Sequence, residues 1–316
     1  MTAPLKLRWV LAHVPYDLFL RSANAFSQAV KEKTNGAIEI EVLGKNEWEE
    51  KYNDGKEVSN GTFVRLVDLG VIAMSQTYAT ALGRYSKEFY ALDMPFLFRD
   101  HEHAARVLDG QIGEYLKDHL AEQSGIKALS FTYSGGYKMM AVNKLAQSIH
   151  DLKGTVMRCG RSPVSQATFE AIGAVPVPMG VDGFTKSVSE GECEGGENVF
   201  PRYFRSGVNE VTSSVANTEH ALFLTSIVIS KAIWNKLTAE QQQVLKECAQ
   251  IAATQEREES LVDGAAAIER CKSEGIEVVE WTADAIGEFK QATAPVYEEF
   301  ADFFDNKELI EQIKKA

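Results

Sequence analysis

Two side chains forty positions apart, Arg158 and Asn198, are of the types needed to hold a carboxylate. Arg158 ends the run Asp151-Leu152-Lys153-Gly154-Thr155-Val156-Met157-Arg158. Its planar guanidinium carries paired N–H donors, to which a carboxylate can make two parallel charge-assisted bonds. Asn198 closes the glycine-rich Gly195-Gly196-Glu197-Asn198, and its amide both donates and accepts. By residue type alone an arginine is ordinarily solvated, and an asparagine after two glycines ordinarily makes a turn, so both readings stand at this point. The chemistry on offer is binding rather than bond breaking.

Signals for catalysis are poor. Gly160-Arg161-Ser162-Pro163-Val164 lacks the second glycine of a nucleophile elbow, and neither G-x-x-x-x-G-K-[ST] nor G-x-G-x-x-G occurs. His101-Glu102-His103 puts its imidazoles at i and i+2, which do not share a helix face, so no metal or other cofactor is expected. Further candidates lie at strand ends, where open α/β sheets receive ligands. Gln76, Thr77 and Tyr78 follow the apolar run 69–74, and His13, Tyr16 and Asp17 follow the first strand. For each of these, plain packing or capping is the competing reading.

The elements that must position these residues read as an α/β chain. Leu5 to Ala12 is apolar enough for an opening strand, and Phe19, Ala23, Phe26 and Val30 then recur at helical spacing up to Asn35-Gly36. Ile38, Ile40 and Val42 alternate with Glu39 and Glu41, a half-buried strand. This βαβ opening predicts a parallel sheet with a right-handed crossover. A strand from Ile126 to Tyr133 runs into Ser134-Gly135-Gly136, the expected first crossing between lobes. Ser162-Pro163 starts a helix that ends near Gly173. The capping box Thr238-Ala239-Glu240-Gln241 opens a helix of about 239–274, with a bend expected at Asp263-Gly264.

Composition sets the outer limits. A chain of 316 residues is long enough for two cores, and the expected division is 1–134 with 221–260 as lobe I and 135–220 with 261–316 as lobe II. A net charge of −12 without clustered Lys and Arg argues against nucleic acid. It leaves a small anionic ligand open, because fixed cations in a narrow site set the local potential. No stretch approaches the roughly 18 to 20 apolar residues of a membrane span, and the first residues lack the pattern of a signal peptide. Cys159, Cys193, Cys248 and Cys271 show no C-x-x-C spacing and read as free thiols.

Several separated motifs, in order, carry a resemblance that covers nearly the whole chain. DLKGTVMRCG is similar to a "DLKGxKxRVP" pattern, IGAVPVPMGVDGFTKSVSEGECEGGENVF to "LGANPVPMPxxExYxALxxGxVDGQENP", and LDMPFLFRD to "LDLPFLFRDYEHA". In these the chain resembles the extracytoplasmic receptors of tripartite ATP-independent periplasmic (TRAP) transporters, of the dicarboxylate and sialic-acid type. The resemblance implies a class II periplasmic-binding-protein fold, two α/β lobes joined by hinge strands and a long connecting helix. It implies a monomer in the periplasm that holds a small organic acid between closing lobes and passes it to a TRAP membrane permease.

The resemblance also implies roles for single residues. Arg158 stands at the carboxylate-clamping arginine and Asn198 at the asparagine of "QEN". Lys138 takes the place where sialic-acid-binding members carry a second arginine, a mobile point charge instead of a planar fork. It would reach a ligand oxygen at an exposed edge, pair with an acidic neighbour, or point away. Val181 and Phe184 fall where the family has "PxxExY", a segment packed on the ligand, and Gly180-Val181-Asp182-Gly183 replaces most of it. Tyr78, Tyr137, Phe184 and Phe204 as lining residues favour an aromatic or compact hydroxy or keto acid. The competing function is an enzyme acting on such an acid with Lys138 as its base.

Overall fold

A computed structural model describes residues 3–13 and 17–316, so Tyr16 lies outside the described residues. The strands are β1 (Leu5–Leu11), β2 (Ile38–Gly44), β3 (Met74–Tyr78), β4 (Ile126–Tyr137), β5 (Met139–Val142), β6 (Val156–Cys159), β7 (Val175–Pro178), β8 (Gly195–Asn198), β9 (Ser214–Asn217), β10 (Leu222–Ser230) and β11 (Glu277–Glu280). They form one sheet of order β2-β1-β3-β10-β4 and another of order β11-β9-β5-β8-β6-β7. The chain divides into two compact units. The first holds residues up to Ser86 with 107–133 and 224–259, and the second holds 87–106, 134–223 and 260–316.

The first unit opens as its periodicity predicts. β1 pairs in parallel with β2 and β3, and the helix Asp17–Lys33 between β1 and β2 buries Phe19, Ala23, Phe26 and Val30 against them. Trp9 of β1 meets Phe26 edge-on, with ring centroids 5.2 Å apart. The helix stops where Asn35 and Gly36 adopt positive φ, and the Gly36 N–H returns to the Lys31 carbonyl at 2.8 Å. Leu245, Cys248, Ala249 and Ala252 of the long helix complete this core.

In the second unit β5 runs antiparallel to both β8 and β9, and β6 runs parallel to β8 and β7. Met140 and Val142 of β5 enter a core with Phe169, Trp281 and Phe289, and Met139 and Ala141 enter another with Phe184, Tyr203 and Cys271. Burial on both faces explains an uninterrupted apolar strand.

The long helix spans Ala239–Ser273 as one uninterrupted element. Its capping box forms: the Gln241 N–H reaches Thr238 Oγ1 at 3.2 Å, and the Thr238 N–H reaches Gln241 Oε1 at 3.0 Å. All four cysteines are free and buried. Among the described residues no helix is long and apolar enough to cross a membrane.

Segment 87–106 differs from the sequence reading, which assigns it to the first lobe by continuity. It packs in the second unit. Phe96 meets Phe289 edge-on at 5.0 Å, the Phe96 N–H donates to the His220 carbonyl at 2.7 Å, and Tyr297 Oη donates to the Pro95 carbonyl at 2.7 Å. Phe96 holds φ of 56°, which for a bulky L-residue costs roughly 1 to 2 kcal/mol. Its ring packing and backbone bond offset that strain. The turn so fixed carries Asp93.

Candidate functional site

Strand register in the second unit gathers the chemistry. Arg158 of β6 lies opposite Gly196 of β8, and β8 meets β5 with Met139 opposite Asn198 and Met140 opposite Glu197. Lys138 directly precedes β5. Gly196 permits the close approach, because a Cβ there would sit 2.6 Å from the Arg158 carbonyl oxygen and 2.7 Å from its Cβ. Met157 and Cys159 turn into one core, and Arg158 between them turns to the opposite face, with Cζ 6.0 Å from the Phe184 ring centre.

Arg158 is 3% exposed, and its guanidinium is held by all three of its nitrogens. Nε and Nη2 donate to the Met179 carbonyl at 3.1 and 2.6 Å, and Nη1 donates to the Glu197 carbonyl at 3.0 Å. An arginine has five N–H donors, so these bonds leave one on each terminal nitrogen. The Glu197 carboxylate is 3.9 Å from Nη1, too far to take that pair of donors. A planar cation fixed by backbone carbonyls, with its outer donors uncommitted, can receive a carboxylate in a set orientation.

Lys138 does not sit at an exposed edge. It is 3% exposed, and its Nζ lies 2.7 Å from Asp93 Oδ1 and 3.1 Å from Glu197 Oε2. The point-charge contact with a ligand oxygen gives way to pairing with acidic neighbours, because two buried carboxyl groups need the cation. Glu197 also accepts from the Gly160 N–H at 2.6 Å and from Ser165 Oγ at 3.4 Å, and it lies 3.5 Å from His220 Nε2. Burial by itself would raise Glu197, but Lys138, His220 and Arg158 outweigh it and hold the carboxyl far below its usual range. Burial lowers and the two carboxyls raise Lys138, with the net effect upward. Asp93 is pushed up by burial and by Glu197 against the pull of Lys138, and burial pushes His220 down.

The other expected residues have mixed placements. Asn198 is buried; its Oδ1 accepts from the Val199 N–H at 2.9 Å, and its Nδ2 lies 3.5 Å from Ser206 Oγ. It therefore shapes the turn that follows β8 as well as standing beside Glu197. Val181 and Phe184 are buried just after Met179, whose carbonyl holds Arg158. Phe204 is stacked under Arg270, whose Cζ is 3.9 Å from the ring centre, and Tyr137 Oη donates to the Phe98 carbonyl at 3.2 Å.

Gln76 is buried in the first unit, with its side chain bonded to neighbouring elements. Its amide nitrogen donates to Thr132 Oγ1 at 2.9 Å, Thr225 Oγ1 at 3.3 Å and Glu256 Oε1 at 2.6 Å. Alternation turns Thr77 to the other face of β3, where it is 1% exposed. Tyr78, half-buried, lies against His13 with ring centroids 4.1 Å apart. His103 is engaged at both nitrogens, Nδ1 accepting from the Arg99 N–H at 3.1 Å and Nε2 lying 2.7 Å from the Ile313 carbonyl.

Sequence reasoning missed Asp93, Glu197, His220 and the Met179 carbonyl. Asp93 and Glu197 both lie inside matched motifs, but other acidic residues such as Asp151 stand nearer to Lys138 and Arg158 in the sequence, so nothing local singles them out. A main-chain carbonyl leaves no trace in residue type.

Against this geometry, residues 14–302 match the family model described as bacterial extracellular solute-binding protein, family 7. The chain is 28% identical to the 2,3-diketo-L-gulonate-binding periplasmic protein YiaO of Escherichia coli, over 82% of this chain and 76% of that protein. It is 26% identical to the C4-dicarboxylate-binding periplasmic protein DctP of Rhodobacter capsulatus, over 89% of this chain and 82% of that protein. Among solved structures, it is similar to a TRAP periplasmic solute-binding protein from a Polaromonas species bound to D-erythronate. There the TM-score is 0.86 at 27% identity, covering 98% of each chain.

Proposed function

The chain belongs to the bacterial extracellular solute-binding protein family 7, and from that premise we propose that it is a periplasmic receptor holding a small organic acid by its carboxylate on Arg158. The observation that carries this reading is the buried guanidinium itself. It is fixed by the Met179 and Glu197 carbonyls, which leaves one donor on each terminal nitrogen for a ligand. We assign Asn198, Val181 and Phe184 to the wall around that cation, a reading supported by the Phe184 ring centre lying 6.0 Å from Arg158 Cζ. Relatives and solved neighbours named for, or bound to, sugar acids and dicarboxylates support an acid as cargo. We propose delivery to a TRAP membrane permease, with the acid released unchanged.

The enzyme reading fares worse on the same residues. A lysine serving as general base needs its ammonium shifted downward, and Lys138 is shifted upward by Asp93 and Glu197. Titration calorimetry against a panel of small hydroxy, keto and sugar acids tests the proposal. Arg158→Ala should cost roughly 2 to 5 kcal/mol of binding, and Arg158→Lys should recover only part of that, because the fork is lost. Near-native affinity in Arg158→Ala would remove the clamp. Steady conversion of the tightest-binding acid by the wild-type protein would instead favour an enzyme.

A further inference from the structure

The first unit contains a buried carboxyl group with no cation. Glu256 lies three positions before the long helix passes from the first unit to the second, and it is 1% exposed. Its Oε1 accepts from Gln76 Nε2 at 2.6 Å, and the Ser22 and Thr132 hydroxyls flank the carboxyl. Two oxygens of this pair, Glu256 Oε2 and Gln76 Oε1, are buried and make no hydrogen bond among the described residues, nor does the neighbouring Ser22 hydroxyl, which leaves one donor at most for two acceptors. Both are pure acceptors when Glu256 is ionised. A proton on Glu256 supplies the donor that the pair lacks.

We propose that Glu256 is a carboxylic acid at neutral pH, its proton shared with Gln76, and that this acid–amide pair fastens the long helix to β3 and loosens it as pH rises. The surrounding charges fit. On the same helix Glu259 repels a second negative charge and is itself bound to Arg21 at 2.7 Å, and Arg257 is committed to Asp109 at 2.6 Å. The groups that face Glu256 from the helix Asp17–Lys33, from β3 and from β4 are Ser22, Gln76 and Thr132, and Thr225 of β10 stands behind Gln76; all four are uncharged. Burial accordingly pushes Glu256 up, to about 8.

The direction of the pH effect follows. Below the ordinary carboxyl value of 4.5 both folded and unfolded chains are protonated here. Between that value and about 8 only the unfolded chain ionises, so stability declines with rising pH, and above about 8 the full loss is reached.

The test compares wild type with Glu256→Gln, which keeps the shape of the neutral acid and cannot ionise. In urea unfolding of the full chain, the ratio of the two unfolding equilibrium constants should change by about tenfold per pH unit between roughly 5 and 8, in favour of the variant, and level off above. Parallel pH profiles would overturn the proposal. If the variant does not fold, NMR of the Glu256 carboxyl carbon in labelled wild type decides. A titration midpoint near 8 supports the proposal, and one in the ordinary carboxyl range refutes it.

Discussion

Glu197 and Glu256 are both sealed from water, one in each unit, and they are displaced from their ordinary value in opposite directions. Around Glu197 stand Lys138 at 3.1 Å, a backbone N–H at 2.6 Å and the outer reach of Arg158 at 3.9 Å. Around Glu256 stand one amide and two hydroxyls. Burial penalises charge equally in both places, so what differs is whether cations and backbone donors repay it. The second unit assembles a charged network, and the first seals an uncharged one beneath a helix. Depth of burial therefore does not tell which carboxyl is ionised; the partner list does.

The harshest way to break this contrast is to take the cation from the second unit. Lys138→Met leaves Asp93 and Glu197 buried side by side without their ammonium, and should destabilise the fold by about 3 to 5 kcal/mol. Adding Asp93→Asn should return part of the loss, since one of the two uncompensated carboxyls is gone. Urea unfolding of the single and double variants measures both. A Lys138→Met protein as stable as wild type would mean that the network is not ionised as described.

The fate of Lys138 shows what the sequence makes legible. Apolar spacing in 17–33, the alternation of Ile38, Ile40 and Val42, and the caps at Ser162 and Thr238 are local signals, and the helices and strands follow them. Arg158 and Asn198 stand out in the sequence because each ends a recognisable frame. The partners of Lys138 lie 45 and 59 positions away, and only sheet register and the turn at Phe96 bring them together. The partners of Gln76 are hidden for a related reason. A polar residue at a strand end reads as ligand-facing until the helix that covers it, with a buried acid aimed at it, is known.

A milder change sharpens the contrast through pH. Glu197→Gln leaves Lys138 still paired with Asp93, so the loss at neutral pH should be smaller, roughly 1.5 to 3 kcal/mol for charged hydrogen bonds given up. Glu197 is held below its ordinary value of 4.5, so its stabilising effect is present above that value and is lost as pH falls through the folded-state value. The gap between wild type and variant should therefore narrow on acidification, the reverse of the trend proposed for Glu256. Denaturation curves taken from neutral pH down through the carboxyl range give the answer. A gap that is constant or widening in acid would show that Glu197 is not the ionised member of the pair.

The smallest effect compares one hydroxyl from each region. Ser165 Oγ donates to Glu197 Oε1 at 3.4 Å, and Thr225 Oγ1 accepts from Gln76 Nε2 at 3.3 Å, so the two bonds are matched in length and burial but not in charge. A bond to an ionised group is roughly twice as strong as one between neutral groups. Thr225→Val also removes the bond between the Thr225 and Thr132 hydroxyls, another neutral contact, but leaves Gln76 its bonds to Thr132 and Glu256, and should cost about 0.5 to 1 kcal/mol. Ser165→Ala removes a donor from a carboxylate that cannot replace it with water, and should cost about 1 to 2 kcal/mol. Thermal or urea unfolding at neutral pH resolves such a difference. Equal costs would mean that the acceptors at the two sites carry the same charge, and the opposition between the units would reduce to the placement of Lys138 alone.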